Sequence, residues 1–331
     1  MAKDLSIRFR PIWSLLRVFD TYLFMDHYGI FSIKNAIVMS SSATCFYLFA
    51  KKMNLNCFFS IMFPLVILLG EQSAVFWRLG PQESGGMLLF SLCMLATWYL
   101  ENNSTVIRRI LFIILLILLS LQKESFLVCI PDFFVLLFSL YIRNRKDNDI
   151  KFSNHFVKFI KCYFFEILIS FLIVIVELCV IIFFVGTNSI GYAGFSAKDG
   201  IFYYLEGIYL ELTRTFLPYL VLLIGFILFI QVIYRKGLIK LADILEFVFC
   251  AYIVLSQLVV YAKSGMYERY LLPATVGVAY VAIIQGYRYI HEVCVREGRV
   301  YIAYAELVIL FLNNPASVSL LSGDRKPQIR F

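Results

Sequence analysis

The chain has 331 residues, of which 61% are hydrophobic and 16% are charged, and its formal net charge is +8. Soluble domains carry about 25% charged residues, so this composition excludes an ordinary soluble domain. The basic residues lie between long apolar runs and form no continuous basic face, which argues against a nucleic-acid partner. We therefore predict a polytopic membrane protein whose surroundings are the lipid bilayer.

The apolar runs predict an all-α transmembrane bundle of nine to ten spans in a single membrane domain, residues 1–331. Residues 1–30 are predicted to be an outer-face interfacial segment, and residues 31–287 to form the nine-span bundle. A weaker apolar run at 300–312, within the C-terminal segment 288–331, is a candidate tenth span. The nine stronger spans are predicted at residues 31–50, 57–76, 85–100, 108–121, 125–142, 162–185, 213–234, 243–261 and 270–287.

Basic residues predict the orientation of the bundle, because cytoplasmic loops of membrane proteins are enriched in Lys and Arg. One set of alternating loops holds 16 such residues, whereas the other set, of equal total length, holds five. We therefore expect the first set in the cytoplasm and the second set, with residues 1–30, on the outer side. The cytoplasmic set comprises residues 51–56, 101–109, 143–161, 235–240 and 288–299, and the outer set comprises 71–84, 122–124, 186–212 and 262–269.

Four of the five outer cations have an acidic residue close to them in sequence. Because these cations oppose the orientation signal, they need another explanation. Ionisable groups at membrane depth are functional candidates, although the Lys123 and Arg269 pairs, each taken alone, are better explained as structural ion pairs. The four pairs are Arg78 with Glu83, Lys123 with Glu124, Lys198 with Asp199, and Arg269 with Glu268.

Three arginines lie in the N-terminal sequence LSIRFRPIWSLLR, residues 5–17, just before the first span. Guanidinium groups bind phosphate in a bidentate manner. Pro11 is suited to the first position of a helix, where its missing N–H costs little. The alternative is an ordinary interfacial helix whose arginines extend towards lipid headgroups.

The stretch Arg78–Gly86 places charged, amide and hydroxyl groups and three glycines between two apolar runs. Pro81 is predicted to start a helix whose first turn holds residues 82–84. The free N–H groups of such a turn suit an anionic headgroup, with Arg78 beside it. The glycines permit close approach of a ligand or a neighbouring segment. A structural ion pair between Arg78 and Glu83 is the alternative.

A hairpin of three residues, Gln122-Lys123-Glu124, joins two predicted spans. The preceding span, residues 108–121, is too short to cross a full bilayer, so its end is expected in a recess lined by protein. We expect Lys123 and Glu124 to face this recess from the outer side. The sequence YERY at residues 267–270 places a second charged group at the mouth of a span.

The longest outer loop, residues 186–212, is predicted to end in a helix, because apolar residues recur at helical spacing over residues 199–212. An amphipathic helix in the membrane interface and a helix packed on the bundle explain this pattern equally well. Within the spans, Asp132, Glu177 and Glu306 suggest either a proton pathway or protonated and hydrogen-bonded packing groups. Their irregular spacing favours packing.

The sequence indicates no metal site from its cysteines and histidines. None of the eight cysteines forms a CxxC pair, and the three histidines are scattered along the chain. We interpret the cysteines as small buried apolar side chains.

In chain order, the sequence contains RFRP, two spans, RLGPQE, KES at a hairpin and ERYLLP near the last spans. This order resembles the GT-C class of integral membrane glycosyltransferases, specifically bacterial polytopic members that use polyprenyl-phosphate sugars. The resemblance covers roughly residues 5–290. RLGPQE and RFRP are its more specific motifs.

The resemblance implies a multi-pass enzyme of the bacterial inner membrane that serves the synthesis of cell-envelope polysaccharide. Such an enzyme moves a sugar from a polyprenyl-phosphate donor to a lipid or glycan acceptor on the outer face. A carboxylate deprotonates the acceptor, and cations or a divalent metal stabilise the leaving phosphate. The candidate carboxylates are Glu83, Glu124 and Asp4; the candidate phosphate-binding cations are Arg10, Arg78, Lys123 and Arg269; and Gln82, Glu268 and Tyr267 are supporting residues.

The chain also departs from the family pattern. No counterpart of the family's first span and first outer loop precedes RFRP, and Asp4 is the one carboxylate before that motif. We therefore expect a truncated form or a remnant of such an enzyme. A flippase for lipid-linked glycans is an alternative, although it would need two related halves. A polysaccharide polymerase or ligase is another, although its large outer loop would need paired arginines.

Overall fold

The structure is a computed structural model that describes residues 9–25, 27–68, 75–76, 82–145, 152–185, 201–214, 240–261, 271–288 and 291. Regular secondary structure in these residues is helical, as the sequence predicts for an all-α protein. The candidate span 300–312, and all but the first two residues of the predicted span 213–234, lie outside the described residues.

Two π-helical turns, Ile181–Val185 and Tyr280–Gln285, extend the helices that precede them. The α-helices are labelled here in chain order. They are α1 Pro11–Phe24, α2 Tyr28–Lys52, α3 Cys57–Leu68, α4 Glu83–Asn102, α5 Val106–Ser120, α6 Glu124–Leu127, α7 Ile130–Arg143, α8 Phe152–Cys162, α9 Phe164–Val180, α10 Ile201–Arg214, α11 Leu241–Tyr261 and α12 Leu272–Ala279.

Most predicted spans coincide with a helix to within a few residues. The predicted span 125–142 differs, because it contains two helices, α6 and α7, separated at Val128 and Cys129. Pro131 lies in the first turn of α7. Proline has no backbone N–H and clashes with the preceding turn, so an uninterrupted α-helix is disfavoured at this point. The sequence prediction located the span correctly, and Pro131 marks the position where the sequence allows a break.

Three helical segments are long and apolar enough to cross a membrane: Glu124–Arg143, Phe164–Phe183 and Leu241–Tyr261. The segment Phe164–Phe183 leaves most of its apolar surface uncovered, and Phe165 and Phe183 are 69% and 78% exposed. Continuous exposed apolar surface of this size is typical of a surface that contacts lipid or another protein. The described part of the chain therefore contains three candidate membrane spans.

Helix α4 lies at the centre of the packing and contacts α2, α5 and α7, while α11 packs against α7 and α12. Gly277 of α12 makes one of these contacts unusually close. A Cβ atom at this position would lie 2.8 Å from the backbone oxygen of Cys250 in α11. Glycine is therefore required where these two helix backbones meet.

Helix α4 and the segment Glu124–Arg143 run side by side in the same direction. Near their starts Gly86 lies against the ring of Phe126, and further along the rings of Phe90 and Phe133 are 4.9 Å apart. Both segments have 20 residues. At 1.5 Å per residue this corresponds to about 30 Å, the thickness of a hydrocarbon core. Each segment is therefore as long as a hydrocarbon core is thick, and Glu124–Arg143 is also apolar enough to cross one.

Candidate functional site

Several predicted site residues meet where α4 and α6 begin. The Nε of Arg10 donates to Oε2 of Glu124 at 2.7 Å, and its Nη1 donates to Oε1 of Gln82 at 2.5 Å. The Nζ of Lys123 contacts Oε1 of Glu83 at 2.5 Å. These five residues come from three separate stretches of the chain. We call them the Glu83 cluster: Arg10, Gln82, Glu83, Lys123 and Glu124.

The N-terminal segment reaches the cluster because its backbone is attached to the hairpin between α5 and α6. The N–H of Ile12, in the first turn of α1, donates to the carbonyl oxygen of Leu121 at 3.3 Å. Pro11 is the first residue of α1, as predicted, and Arg10 immediately precedes it. This attachment holds the Arg10 side chain over the start of α6 and directs its guanidinium group to Glu124.

The arginines on either side of Pro11 have different surroundings. Arg10 is buried in the cluster, whereas the guanidinium of Arg17 lies 5.0 Å from the ring centroid of Trp13 on the exposed side of α1. An ion pair between Lys34 and Asp20 joins α1 to α2. Arg10 therefore lies in the polar site and Arg17 on the exposed surface of α1, and phosphate binding and an interfacial position both stay predictions for this segment.

The side chains at the hairpin are enclosed by the protein. That of Lys123 is 2% exposed and that of Glu124 is 14% exposed. Gln122 joins the hairpin to the start of α4, since its Nε2 donates to the backbone oxygen of Gln82 at 3.2 Å. A buried ammonium group needs a nearby anion, and Glu83 provides it.

The start of α4 differs from the sequence prediction by two residues, since Pro81 was predicted to start the helix. The helix begins at Glu83, and Gln82 occupies the position before it. Glu83 lies in the first turn, where a carboxylate is stabilised by the helix dipole. An anionic ligand was expected at this helix start. In the described residues the chain's own carboxylate already compensates both the dipole and Lys123.

Gly85 and Gly86 permit the close packing that the sequence predicted for them. A Cβ atom at Gly85 would lie 2.8 Å from Nε2 of Gln122, and one at Gly86 would overlap the ring of Phe126. The neighbour that approaches is therefore the hairpin and α6. This contact brings Lys123 within reach of Glu83.

Sequence proximity predicted the wrong partner for one cation. Lys123 was paired with Glu124, its immediate neighbour, but its ion pair in the structure is with Glu83, 40 residues away. Glu124 instead pairs with Arg10, 114 residues away. Successive residues at the start of a helix point in different directions, so the partners are set by which helices pack together.

Among the described residues, the cluster contains two cations and two carboxylates, so this part of it is balanced in formal charge. Burial of each charge is costly, and the paired arrangement recovers this cost through short charge-assisted hydrogen bonds. Removal of a single partner would leave an uncompensated buried charge, which costs about 3–5 kcal/mol. The cluster is thus preorganised, and its most accessible carboxylate is that of Glu124.

Tyr261 also belongs to this site, although the sequence analysis did not select it. The Nζ of Lys123 lies 5.2 Å from the centroid of its ring, a favourable cation–π distance. Tyr261 is the last residue of α11. The loop-charge pattern places that helix end on the same side as Lys123, so this signal was present in the sequence.

Five predicted site residues lie outside the described residues, and the structure neither joins them to the cluster nor separates them from it. They are Asp4, Arg78, Tyr267, Glu268 and Arg269.

The acids predicted inside spans have unlike surroundings. Glu177 accepts a hydrogen bond from the Ser120 hydroxyl at 2.5 Å, in agreement with a packing role. Asp132 is buried, and neither of its carboxyl oxygens has a hydrogen-bond partner in the described part of the chain. Glu306 lies outside the described residues.

The donor set of the cluster does not fit a divalent metal. Such ions need several free oxygen ligands, whereas Glu83 and Glu124 each bind a cation of the chain. Among the residues that the structure describes, no three His, Cys, Asp or Glu side chains are grouped in a way that could hold a metal ion. We assign no chemical step to a metal here.

Comparison with known proteins adds no relative: no family model, no curated protein and no solved structure matches the chain.

Proposed function

We propose that the chain is a multi-pass protein of the bacterial inner membrane, with the Glu83 cluster at the outer side. Three segments have the length and composition of spans, and two of them, Phe164–Phe183 and Leu241–Tyr261, have exposed apolar side chains that are suited to lipid. At the ends away from this cluster, α2 carries Lys51 and Lys52. The C-terminal end of α7 carries Arg143, and Arg145 follows two residues later. This arrangement matches the preference of basic residues for the cytoplasmic side.

We further propose that the protein is a glycosyltransferase of the GT-C kind, which uses a polyprenyl-phosphate sugar and a lipid or glycan acceptor. The observation that carries this proposal is the Glu83 cluster itself. Three stretches that the resemblance selected independently, around Arg10, Glu83 and Lys123, form one buried charged site at the end of the helices. A charged site at that depth must be compensated, and in membrane proteins such sites commonly serve function.

The proposed reaction transfers the sugar by a single displacement. The acceptor hydroxyl gives its proton to the carboxylate of Glu124, and its oxygen bonds to the anomeric carbon of the sugar. The bond between that carbon and the donor phosphate oxygen breaks, and the electron pair leaves with the phosphate. Arg10 and Lys123 stabilise the negative charge that develops on the phosphate.

Glu124 is assigned as the base because it is the more accessible of the two cluster carboxylates, at 14% against 6% for Glu83. Glu83 then acts as a positioning residue, since it fixes the ammonium group of Lys123. Arg78 and Arg269 are proposed as further phosphate ligands on the basis of the resemblance alone.

The test is transfer of radiolabelled sugar from polyprenyl-phosphate donors, measured with the full chain in membranes. Glu124→Gln should reduce transfer by about 100-fold or more, the usual contribution of a general base. Glu83→Gln should also reduce it, through loss of Lys123 positioning. Glu166→Gln is the matched control, because Glu166 is equally buried and forms an ion pair with Arg109 away from the cluster.

Each variant is first checked for wild-type expression and a monodisperse elution profile in detergent. If Glu124→Gln and Glu83→Gln both transfer sugar at the wild-type rate, the site assignment is wrong. If the wild-type protein moves a lipid-linked glycan across proteoliposomes and transfers no sugar, the activity is that of a flippase. Chain extension of a glycan without a polyprenyl-monophosphate donor would instead identify a polymerase.

A further inference from the structure

A second charged site lies at the opposite ends of α4 and α7. It is a cavity of about 520 Å³ between the C-terminal ends of α2, α4 and α7 and the turn that follows α12. Its lining includes the basic side chains of Lys52, Arg143 and Arg288. No acidic residue lines it in the part of the chain that the structure describes. It is therefore a concave surface of positive charge.

Glu246 forms ion pairs with two of these cations, Arg143 and Arg288, one through each carboxylate oxygen. Its Oε1 accepts from Nη2 of Arg143 at 2.9 Å, and its Oε2 accepts from Nη1 of Arg288 at 2.7 Å. Asp243 accepts from the same Nη2 of Arg143 at 2.8 Å. We call Arg143, Asp243, Glu246 and Arg288 the Glu246 cluster.

These contacts leave donors for a ligand on each arginine. Arg143 uses only Nη2 and Arg288 only Nη1 in their hydrogen bonds with described residues. Each guanidinium has five N–H donors in a fixed plane, so Nη1 of Arg143 and Nη2 of Arg288 remain available. Glu246 is fully buried, while the arginine side chains are 28% and 17% exposed. The carboxylate thus orients two guanidinium groups whose outer edges reach the cavity.

Lys52 supplies a third cation from the opposite wall. Its Nζ lies 4.9 Å from the ring centroid of Trp98 and 5.6 Å from that of Tyr99. Within the described residues it forms no ion pair with a carboxylate. The rings fix the ammonium group without neutralising it, so its full charge is available to an anion.

The rest of the lining supports a ligand with both polar and apolar parts. Asn54, Asn102 and Asn144 bring amide groups to the cavity, while Met53 and Leu140 bring apolar surface. Planar guanidinium groups and amides are suited to the oxygens of a phosphate group. Apolar surface beside them is suited to the start of an acyl chain.

We propose that this cavity binds the phosphate group of an anionic phospholipid in the cytoplasmic leaflet. The position supports this ligand, because the cavity lies about 30 Å from the Glu83 cluster along two parallel 20-residue segments. If those segments span the membrane, the cavity lies at headgroup level on the basic, cytoplasmic side. Basic pockets between helices on that side are typical sites for anionic headgroups. The site is separate from the proposed transferase chemistry and does not depend on it.

The test is native mass spectrometry of the full chain in detergent, with added phosphatidylglycerol or phosphatidylcholine. The wild-type protein should retain phosphatidylglycerol in preference. Lys52→Gln should weaken retention by about fivefold, the usual effect of one basic residue at a membrane surface. The control is Lys51→Gln, because Lys51 is exposed, carries the same charge and does not line the cavity.

Arg288→Gln is a second variant, in which Glu246 keeps its ion pair with Arg143. Unchanged thermal unfolding of Lys52→Gln would establish that lost retention is not lost folding. Equal retention by wild type, Lys52→Gln and Arg288→Gln would overturn the proposal, as would equal retention of the two lipids.

Competition with inorganic phosphate tests whether the bound phosphate group belongs to a lipid or to a soluble compound. If excess inorganic phosphate does not displace phosphatidylglycerol, the lipid assignment stands. If phosphate displaces the lipid and raises the unfolding temperature of wild type but not of Lys52→Gln, the cavity binds a soluble phosphate compound. That result would overturn the lipid assignment.

Discussion

The Glu83 cluster and the Glu246 cluster lie at opposite ends of the same two helices, yet they distribute charge differently. In the Glu83 cluster each cation has a carboxylate of its own, and the side chains of Lys123 and Glu83 are 2% and 6% exposed. In the Glu246 cluster one fully buried carboxylate is shared by two arginines that are 28% and 17% exposed. Within the described residues the first pairs each cation with a buried carboxylate, whereas the second leaves cationic edges open.

This difference indicates how each end responds to the loss of a charge. A sealed pair has no water to replace a missing partner, so its disruption is expensive. Loss of the Glu246 carboxylate should cost less, because solvent reaches the guanidinium groups of Arg143 and Arg288 that it binds. Three substitutions test this contrast, from the largest expected effect to the smallest.

Lys123→Met should have the largest effect, because it removes the ammonium group that forms a buried ion pair with Glu83. We expect a loss of about 3–5 kcal/mol in the free energy of unfolding, measured in mixed detergent micelles. The double variant Lys123→Met with Glu83→Gln should recover much of this loss, since both charges are then absent. An equal loss in the single and double variants would contradict the sealed-pair interpretation.

Gly86→Ala tests the packing that closes the Glu83 cluster. The added methyl group would overlap the ring of Phe126, and we expect a loss of about 2 kcal/mol from overpacking. Gly29→Ala is the matched control, because a Cβ atom there meets nothing within 4 Å and Gly29 is also in a helix. The same unfolding measurement compares them. If both variants were equally stable, the close approach of α6 to α4 would not be important for closure.

Glu246→Gln should have the smallest effect of the three, although Glu246 is completely buried. Arg143 keeps its contact with Asp243, and the glutamine can still accept one hydrogen bond. We expect a loss of about 1 kcal/mol, close to the value of one hydrogen bond. A loss as large as that of Lys123→Met would show that the two ends are equally closed, and the contrast would fail.

Much of the fold could be predicted because apolar length and helical periodicity are properties of contiguous sequence. Helices α2, α4, α5, α9 and α11 all coincide with predicted spans for this reason. The two π-helical turns were not predicted, because they depend on local backbone hydrogen bonding that hydropathy does not record. The break at Val128 is indicated in the sequence by Pro131.

The site could be predicted only as a set of residue types. The orientation signal identified Lys123 as an unusual cation, and the motifs identified Arg10 and Glu83. Their actual partners lie 40 and 114 residues away, so the pairing depends on helix packing. The Glu246 cluster was missed for a different reason, because basic residues on the cytoplasmic side were explained by topology alone.

The parallel arrangement of α4 and Glu124–Arg143 has a mechanical consequence in the proposed membrane. Both segments carry charged groups at each end, so neither can slide along the bilayer normal without drawing a charge into hydrocarbon. Together they set a fixed hydrophobic length of about 30 Å. A thinner bilayer would force this helix pair to tilt, and a thicker one would have to compress around it. In such a membrane the helix pair would be matched to one hydrocarbon thickness.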